Sequence, residues 1–373
     1  MFENKLEQID RTLIDLLNQR ISILAEQESQ SVTPSLDDQL TDVMPILAQT
    51  DVSKFLWQNL VNGCTAALAK PALPLTVRKL QRVTIIGGRG LMGSFFTQWF
   101  SRLGHKVNIL EHNDWNRADK LLGGVDLVLI CVPLDKMPEV IQKVVKYIDE
   151  TTALADVASI KTSVMQTMLK HHRGPVIGLH PMFGSGIDSF LSQNVAVCPG
   201  REYEAFQWLL NLIEHDGGSI VNYTAEEHDH MMTIIQAIRH FVTFGLGVFL
   251  AEEEIDIGRS LEIASPPFRM EISMLSRLFF SSTPLYVDIM LASQERGEAI
   301  KKLTKTYSQL AQLVVQGDRD SLLQKFEAVR NVLVQQRMCN PEESTHLIDS
   351  LSTLLAAQQI SKKNQEALAS SIK

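Results

Sequence analysis

A glycine-rich turn follows a short apolar run in the first quarter of the chain. The run Val83–Ile86 leads into Gly88-x-Gly90-x-x-Gly93, and a helix-like segment follows. In this spacing the first glycine allows a tight turn, the second lets backbone approach a pyrophosphate, and the third lets helix pack close on strand. A second apolar run ends at Glu111, eighteen residues after Gly93, where an acid can accept from ribose hydroxyls. This pattern predicts a dinucleotide site with the pyrophosphate at a helix N-terminus, and a plain glycine turn is the alternative.

The nature of the dinucleotide depends on the residues near Glu111. An acid at this position favours NAD, whereas His112 and Arg117 nearby would accommodate the 2′-phosphate of NADP, so NADP stays open. The residues expected to bind the cofactor are Gly88, Gly90, Leu91, Met92, Gly93, Glu111 and Val132.

Polar side chains follow two further strand-like runs. Ser159 and Lys161 come after a run that ends at Asp156, and His180 follows the next run along the chain. Ligands of open α/β sheets bind at the carboxyl ends of the strands. A histidine there is placed to take a hydroxyl proton while hydride leaves the same carbon, with Ser159 orienting the imidazole and Lys161 adding positive charge. The alternatives are that His180 only caps a turn before Pro181 and that Lys161 is solvated.

A second set of polar residues lies in an apolar helical segment. His228 and Asp229 open it, and Gln236, Arg239 and His240 follow. Helical spacing places Gln236 and His240 on one face. These groups either satisfy one another or face a cleft.

Two arginines follow in another apolar segment. Arg269 and Arg277 are two helical turns apart, and each is either paired with Glu271 or available to bind a carboxylate through two hydrogen bonds.

Histidine and cysteine spacing predicts neither a metal site nor a disulfide framework. His228 and His230 are two residues apart, so on a helix they point to opposite faces, and no further ligand completes a set. The four cysteines are scattered without paired spacing, which favours a reducing compartment. They are Cys64, Cys131, Cys198 and Cys339.

The elements that must position these residues change in type along the chain. Before residue 75, two helical patterns, about Ile9–Glu26 and Ser53–Lys70, end at a linker containing Pro71 and Pro74. From residue 80 to 224, apolar strands alternate with helices, which predicts a doubly wound, Rossmann-type parallel sheet. The predicted strands are Val83–Ile86, Val107–Leu110, Val125–Val132, Thr152–Val157 and Val176–Leu179, with Asn194–Cys198 and Ser219–Tyr223 extending the sheet. The pattern of residues 225–373 predicts helices. Their apolar faces predict a homodimer.

Composition sets limits on partners and location. The chain has 373 residues, enough for two or three domains, and 35 Lys and Arg against 43 Asp and Glu give a formal charge of −8. That charge argues against nucleic acid or an anionic membrane as partner. The N-terminus lacks the apolar region of a signal peptide, and the longest apolar stretch, Phe241–Ala251, is too short to span a bilayer. We therefore expect a soluble, cytoplasmic protein.

Six motifs in order carry a family resemblance. They are the glycine motif with Ile109-Leu110-Glu111-His112, Asp156-Val157-Ala158-Ser159-Ile160-Lys161, Gly178-Leu179-His180-Pro181-Met182-Phe183-Gly184, Glu227-His228-Asp229, Gln236-Ala237-Ile238-Arg239-His240-Phe241 and Pro284-Leu285-Tyr286-Val287-Asp288-Ile289. From about Val83 to Gln316 the chain resembles prephenate dehydrogenase, of the proteobacterial type in which a chorismate mutase is fused at the N-terminus.

The resemblance implies an activity and a set of site residues. The activity is NAD-dependent oxidative decarboxylation of prephenate to 4-hydroxyphenylpyruvate, a step of tyrosine synthesis. His180 would hydrogen-bond the ring hydroxyl with support from Ser159, and Arg277 would hold the ring carboxylate. The implied catalytic residues are His180, Ser159 and Lys161, and the implied substrate-binding residues are Arg277, Arg269, His240, His228 and Gln236.

The resemblance weakens in the N-terminal segment. Ile9–Arg20 resembles the first helix of an AroQ-type chorismate mutase, a family that binds two carboxylates with several cations, but only Arg20 matches that set. Glu3 stands where an arginine is expected, Ser31 where a lysine is expected, and Pro34-Ser35-Leu36-Asp37 replaces Pro-Glu-Arg-Glu. We therefore expect a mutase relic with absent or feeble activity.

Other interpretations stay open. One is a bifunctional enzyme with a live mutase, and a second is a non-catalytic sensor that binds NAD and an aromatic acid. A third is a close variant of the dehydrogenase that acts on arogenate or another 2-hydroxyacid.

Overall fold

The computed structural model describes residues 2–30, 36–50, 52–68, 79–184, 186–281, 283–338 and 342–371. Contacts divide the chain into two units, Met1–Asp229 and His230–Lys373. Several residues named above lie outside the described residues, namely Ser31, Pro34, Ser35, Pro71, Pro74 and Cys339, as do the side chains of Glu3, Leu36 and Asp37.

The first unit contains the N-terminal helices and the sheet. Its helices are α1 (Phe2–Ser29), α2 (Leu36–Thr41), α3 (Met44–Leu47), α4 (Lys54–Leu68), α5 (Leu91–Arg102), α6 (Ala118–Leu122), α7 (Met137–Val144), α8 (Thr162–His171) and α9 (Gln207–His215). Its strands are β1 (Arg82–Ile86), β2 (Lys106–Leu110), β3 (Leu127–Ile130), β4 (Ala153–Asp156), β5 (Val176–Pro181), β6 (Asn194–Pro199) and β7 (Ser219–Asn222). Helix α10 (Ala225–Met232) follows and continues past the boundary between the units.

The seven strands form one sheet in the order β2-β1-β3-β4-β5-β6-β7. Strands β1 to β5 pair with one another in parallel, which confirms the predicted doubly wound fold. Strand β6 is antiparallel to β5, and β7 is parallel to β6, so the edge departs from the all-parallel prediction. The described residues between β5 and β6 contain no crossover helix, and a chain that returns without a crossover must pair antiparallel.

The sheet is covered on both faces. Along β3, Leu127 and Leu129 join one apolar cluster, while Val128 and Ile130 join the other, as the alternation of side chains on a strand requires. All four are fully buried. This two-sided burial explains why the strands are continuous apolar runs in the sequence.

Strand β5 is longer than the sequence indicates. The predicted strand ends at Leu179, but His180 pairs with Ala196 and Pro181 with Val195. The antiparallel partner β6 extends the ladder by two residues. His180 is therefore a residue of the strand itself and has the fixed direction of a strand side chain.

The N-terminal helices leave an apolar face uncovered. Helices α1 and α2 both pack on α4, and Leu24 of α1 is buried. Ile9, Leu13 and Leu16 of α1 are 55%, 49% and 54% exposed. The helix exists as predicted, but this protomer buries only one end of its apolar stripe.

All the regular secondary structure in the described residues of the second unit is helical. Its elements are a π-helix (Thr233–Ile238) and the helices α11 (Arg239–Glu252), α12 (Ile257–Glu262), α13 (Pro266–Phe279), α14 (Thr283–Leu291), α15 (Gln294–Gln316), α16 (Arg319–Gln335) and α17 (Glu342–Ser371). The π-helix replaces the regular α-helix that the sequence predicts there, and π-turns recur at functional sites.

Among the residues that the structure describes, one helical stretch is long and apolar enough to cross a membrane, judged by length and composition alone. It runs from Ala225 to Glu252, and 11% of its most apolar window is buried. Core and interface helices of other proteins meet the same criterion, so the stretch by itself does not indicate a membrane protein.

Candidate active site

The glycine turn is built differently from the sequence prediction. The left-handed residue of the turn is Gly87, with φ of 75°, and not Gly88. Gly88 is required for another reason, because a Cβ there would lie 2.9 Å from Ile109 Cγ2 of β2. A Cβ on Gly93 would overlap the carbonyl oxygen of Gly87, so the third glycine does permit close packing of helix on strand.

The turn presents the N-terminus of α5 and a carboxylate. Gly90 is the N-cap of α5 and has extended backbone. Glu111 Oε1 accepts a hydrogen bond of 2.9 Å from the backbone N–H of Arg89, which holds the carboxylate beside the turn. The backbone N–H of Glu111 in turn donates to Asp114 Oδ2 at 3.0 Å. A helix N-terminus for the pyrophosphate next to a fixed acid for the ribose fits NAD.

Arg117, one of the two residues that would favour NADP, lies beside an acid. Arg117 Nη1 lies 3.6 Å from Asp114 Oδ1, so its charge is partly offset. Among the other predicted cofactor residues, Leu91 is 59% exposed at the start of α5, and Met92 and Val132 are half-buried.

His180 contacts a second histidine across the first unit. His180 Nδ1 lies 2.8 Å from Nε2 of His228, a residue of α10 that is 48 positions away in the chain. His180 is 4% exposed and His228 is fully buried. His228 Nδ1 is hydrogen-bonded to Asp229 Oδ1 at 2.9 Å.

Asp229 also binds the start of α8. Its Oδ1 accepts from the backbone N–H of Lys161 at 2.8 Å, and its Oδ2 accepts from that of Thr162 at 2.9 Å. Burial opposes ionisation of Asp229, but the hydrogen bonds from His228, Lys161 and Thr162 outweigh it and lower the pKa to about 2. Asp229 is therefore a carboxylate at neutral pH.

Lys161 is an interior residue. Its side chain is fully buried, and its Nζ donates to Asp156 Oδ1 and, at 2.7 Å, to the carbonyl oxygen of Leu179. Burial raises the pKa of Asp156, and the Lys161 ammonium opposes that effect. The pair ties the end of β4 to β5 directly before His180.

Two predicted roles need revision in the light of these positions. Lys161 was expected to act on the substrate and His228 to bind it, yet both are fully buried and their polar atoms are engaged by protein groups. Ser159 is half-buried in the loop between β4 and α8, and it is His228 that bonds His180 Nδ1.

The second unit holds the remaining predicted residues. His240 packs its ring edge-on to Tyr286, with centroids 4.7 Å apart. Burial, with the charges of Arg239 and Arg296, lowers the pKa of His240 to about 4, so the imidazole is neutral at neutral pH. Gln236 lies in the π-helix one turn before it.

The two predicted arginines differ in their surroundings. Arg269 donates from Nη2 to the carbonyl oxygen of Leu261 near the end of α12, so it supports the fold. Arg277 lies near the end of α13 and is exposed. Arg296, which the sequence analysis did not single out, is 1% exposed and donates to the carbonyl oxygen of Ile289.

Asp229 and Asp156 are the other residues that the predicted site lacked. Asp229 follows His228 directly in the sequence, and this adjacency is the only sequence signal for the hydrogen bond between the two side chains. The sequence marks Asp156 as a strand end and gives no sign that it is the partner of Lys161. Within the described part of the chain, no three His, Cys, Asp or Glu side chains lie together as a metal site.

A Rossmann sheet that carries this turn after β1 and a buried histidine in β5 defines the class as an NAD-dependent oxidoreductase. Residues 103–222 match the prephenate dehydrogenase nucleotide-binding domain, and residues 224–328 match the prephenate dehydrogenase dimerization domain. The chain is 37% identical to T-protein of Haemophilus influenzae over 252 residues, covering 68% of this chain and 67% of the relative. It is 32% identical to T-protein of Enterobacter agglomerans over 343 residues, covering 87% and 90%. The chain belongs to the prephenate dehydrogenase family.

A solved structure shares the fold. The crystal structure of Aquifex aeolicus prephenate dehydrogenase with hydroxyphenyl propionate and NAD+ has a TM-score of 0.57 at 19% identity, covering 70% of this chain and 99% of that chain.

Proposed function

We propose that the protein oxidises and decarboxylates prephenate to 4-hydroxyphenylpyruvate with NAD, and that His180 is the residue that accepts the hydrogen bond of the ring hydroxyl. Bound NAD supplies the hydride acceptor. The observation that carries the proposal is the oriented histidine, His180, whose Nδ1 is held at 2.8 Å by His228 in a member of this family.

The reaction requires the protein mainly to position the substrate, the cofactor and His180. Hydride leaves the hydroxyl-bearing ring carbon, the opposite ring carbon loses its carboxylate as carbon dioxide, and the electrons of that broken bond complete the aromatic ring. The product keeps the hydroxyl hydrogen, so His180 holds a proton only transiently. Arg277 would bind the ring carboxylate, and Ser159, Gln236 and His240 would line the substrate site.

The buried Lys161–Asp156 pair has a supporting part in this proposal. The pair fixes the carbonyl of Leu179, the residue before His180, and thereby the direction of the imidazole. We assign Lys161 and His228 to positioning and not to contact with substrate.

The test is direct turnover. Purified protein with NAD and prephenate should form reduced nicotinamide and 4-hydroxyphenylpyruvate, and arogenate in the same assay should react much more slowly. Faster turnover of arogenate would assign the enzyme to that substrate, and binding of both ligands without any reduced nicotinamide would favour the sensor.

We infer that NAD is preferred over NADP. The Glu111 carboxylate, fixed by the Arg89 N–H, would repel a 2′-phosphate, and Arg117 lies beside Asp114.

We infer also that the N-terminal segment has lost mutase activity. Arg20, the one residue that matches the mutase cations, donates to Gln39 at 2.5 Å. A single cation engaged by a neutral amide does not make the converging cluster that a dicarboxylate transition state needs. Because the chain is similar to two T-proteins, a bifunctional enzyme is the alternative that a chorismate assay must test.

We propose a cytoplasmic homodimer with three parts, 1–75, 80–224 and 225–373, in which the last part forms the interface. The matched family is a dimerization domain, and large apolar side chains of this part are exposed, including Phe249 at 56% and Phe280 at 90%. A second copy would cover such a surface.

A further inference from the structure

His180, His228 and Asp229 form a continuous hydrogen-bonded series, named here the histidine relay. The two bonds, His180 Nδ1 to His228 Nε2 and His228 Nδ1 to Asp229 Oδ1, are 2.8 and 2.9 Å long. Both imidazoles are buried, which strengthens hydrogen bonds relative to those in water.

The far end of the relay is an anion anchored to backbone. Asp229 accepts from two N–H groups at the start of α8 as well as from His228. A carboxylate held in this way can only accept hydrogen bonds. The chemistry of the two imidazoles follows from that restriction.

Asp229 determines the tautomer of both histidines in their neutral form. Because the carboxylate accepts, His228 must carry its hydrogen on Nδ1, and its Nε2 then has a lone pair. That lone pair accepts from Nδ1–H of His180, so the lone pair of His180 lies on Nε2.

We propose that His228 and Asp229 are positioning residues that set Nε2 of His180 as the acceptor for the substrate hydroxyl and stabilise the proton that His180 takes up. The kinetic consequences of this proposal rest on the proposed function, whereas the tautomers of the two histidines do not. As hydride leaves the substrate, the hydroxyl proton moves to His180 Nε2, and the proton on His180 Nδ1 moves toward His228 Nε2. The His228 ring is bonded through Nδ1 to the Asp229 carboxylate, which offsets the charge. The reverse shifts return the proton to the product oxygen, so no other reactant is needed. The arrangement follows the logic of an acid that orients a catalytic histidine.

The other charged groups near the relay largely offset one another. Asp156 and Lys161 form a buried ion pair beside His228. Burial raises the pKa of the Cys198 thiol on β6 to about 12, so this group is neutral. Asp229 is therefore the anion against which a proton on the relay is stabilised.

The kinetic test compares Asp229→Asn with Glu226→Gln, which removes an exposed carboxylate from the same helix, α10. Asp229→Asn should lower kcat about 10²- to 10³-fold with little change in KM for NAD, because the amide favours the wrong tautomer. The acid limb of the kcat/KM profile should move to lower pH by about one unit, since a proton on His180 loses its counter-charge. Glu226→Gln should keep both the rate and the profile of the wild type.

A second variant separates positioning from packing. His228→Phe fills the site without a ring nitrogen, and it should lose about as much kcat as Asp229→Asn, while the double variant loses little more. Losses that multiply in the double variant, or a lower kcat with an unchanged pH profile, would assign these residues to structure alone and overturn the relay.

A spectroscopic measurement on the wild-type protein is independent of activity. Imidazole ¹⁵N chemical shifts at about pH 8 should show Nδ1 protonated and Nε2 unprotonated in both histidines, assigned by the signals lost in the His180→Asn and His228→Phe proteins. Protonated Nε2 on His180 would refute the relay whatever the substrate. The expected tautomers without prephenate turnover would instead refute the proposed function and leave the relay standing.

Discussion

Lys161 places an ammonium group inside the protein, directly below the strand that carries His180. The group bonds Asp156 and the carbonyl of Leu179 and is fully buried. Breaking such a pair leaves one charge buried without its partner, which costs more than the pair itself contributes. The pair therefore fixes the position of β5 at the point where the reaction needs it.

We propose that cofactor choice depends on Glu111. Glu111→Ser removes the carboxylate that the Arg89 N–H holds, so the preference for NAD over NADP in kcat/KM should fall about tenfold to a hundredfold. Glu139→Gln, which neutralises an exposed carboxylate on α7, is the matched control and should leave the preference unchanged. A wild-type enzyme that already prefers NADP would contradict this assignment.

At the scale of elements, the π-helix and α11 carry His240 into an apolar setting beside Tyr286. Its pKa is about 4 in the folded protein and about 6.5 when unfolded, so below pH 6.5 the unfolded chain takes a proton that the folded chain does not. Stability from this group is present above pH 6.5 and is lost as the pH falls toward 4.

The resulting prediction concerns urea unfolding at two pH values. Between pH 7 and pH 5 the wild type should lose about 2 kcal/mol of unfolding free energy through His240, and His240→Phe should lose that much less. The exposed His171, changed to Phe, is the control and should keep the wild-type difference. An equal pH dependence in wild type and His240→Phe would show that His240 is not held in its neutral form.

The elements also mark where sequence was sufficient and where it was not. Continuous apolar runs predicted the strands because a strand buried on both faces needs apolar residues at every position. The antiparallel direction of β6, the choice of Gly87 as the left-handed residue and the π-helix have no such local sequence signal, since each depends on the path or packing of the chain. The His180–His228 contact joins residues 48 positions apart, so neither this contact nor the burial of Lys161 was visible in the sequence.

At the scale of the whole molecule, we propose that the N-terminal segment has lost the mutase activity of a bifunctional enzyme. Purified protein should leave chorismate essentially untouched while it turns over prephenate in the same buffer. Deletion of the residues before about Ala72 should change stability or assembly more than dehydrogenase kcat, because the exposed apolar face of α1 suits contacts and not catalysis. Efficient conversion of chorismate by the full chain would show that the mutase is live.

We propose that NAD-dependent oxidation of prephenate depends on His180. The most direct measurement compares wild type, His180→Asn and the exposed control His171→Asn for NAD binding, prephenate binding and kcat. We predict that all three bind both ligands, that wild type and His171→Asn form reduced nicotinamide with 4-hydroxyphenylpyruvate, and that His180→Asn loses kcat about 10²- to 10⁴-fold. Near-normal turnover by His180→Asn, or a wild type that binds both ligands and forms no product, would contradict the account.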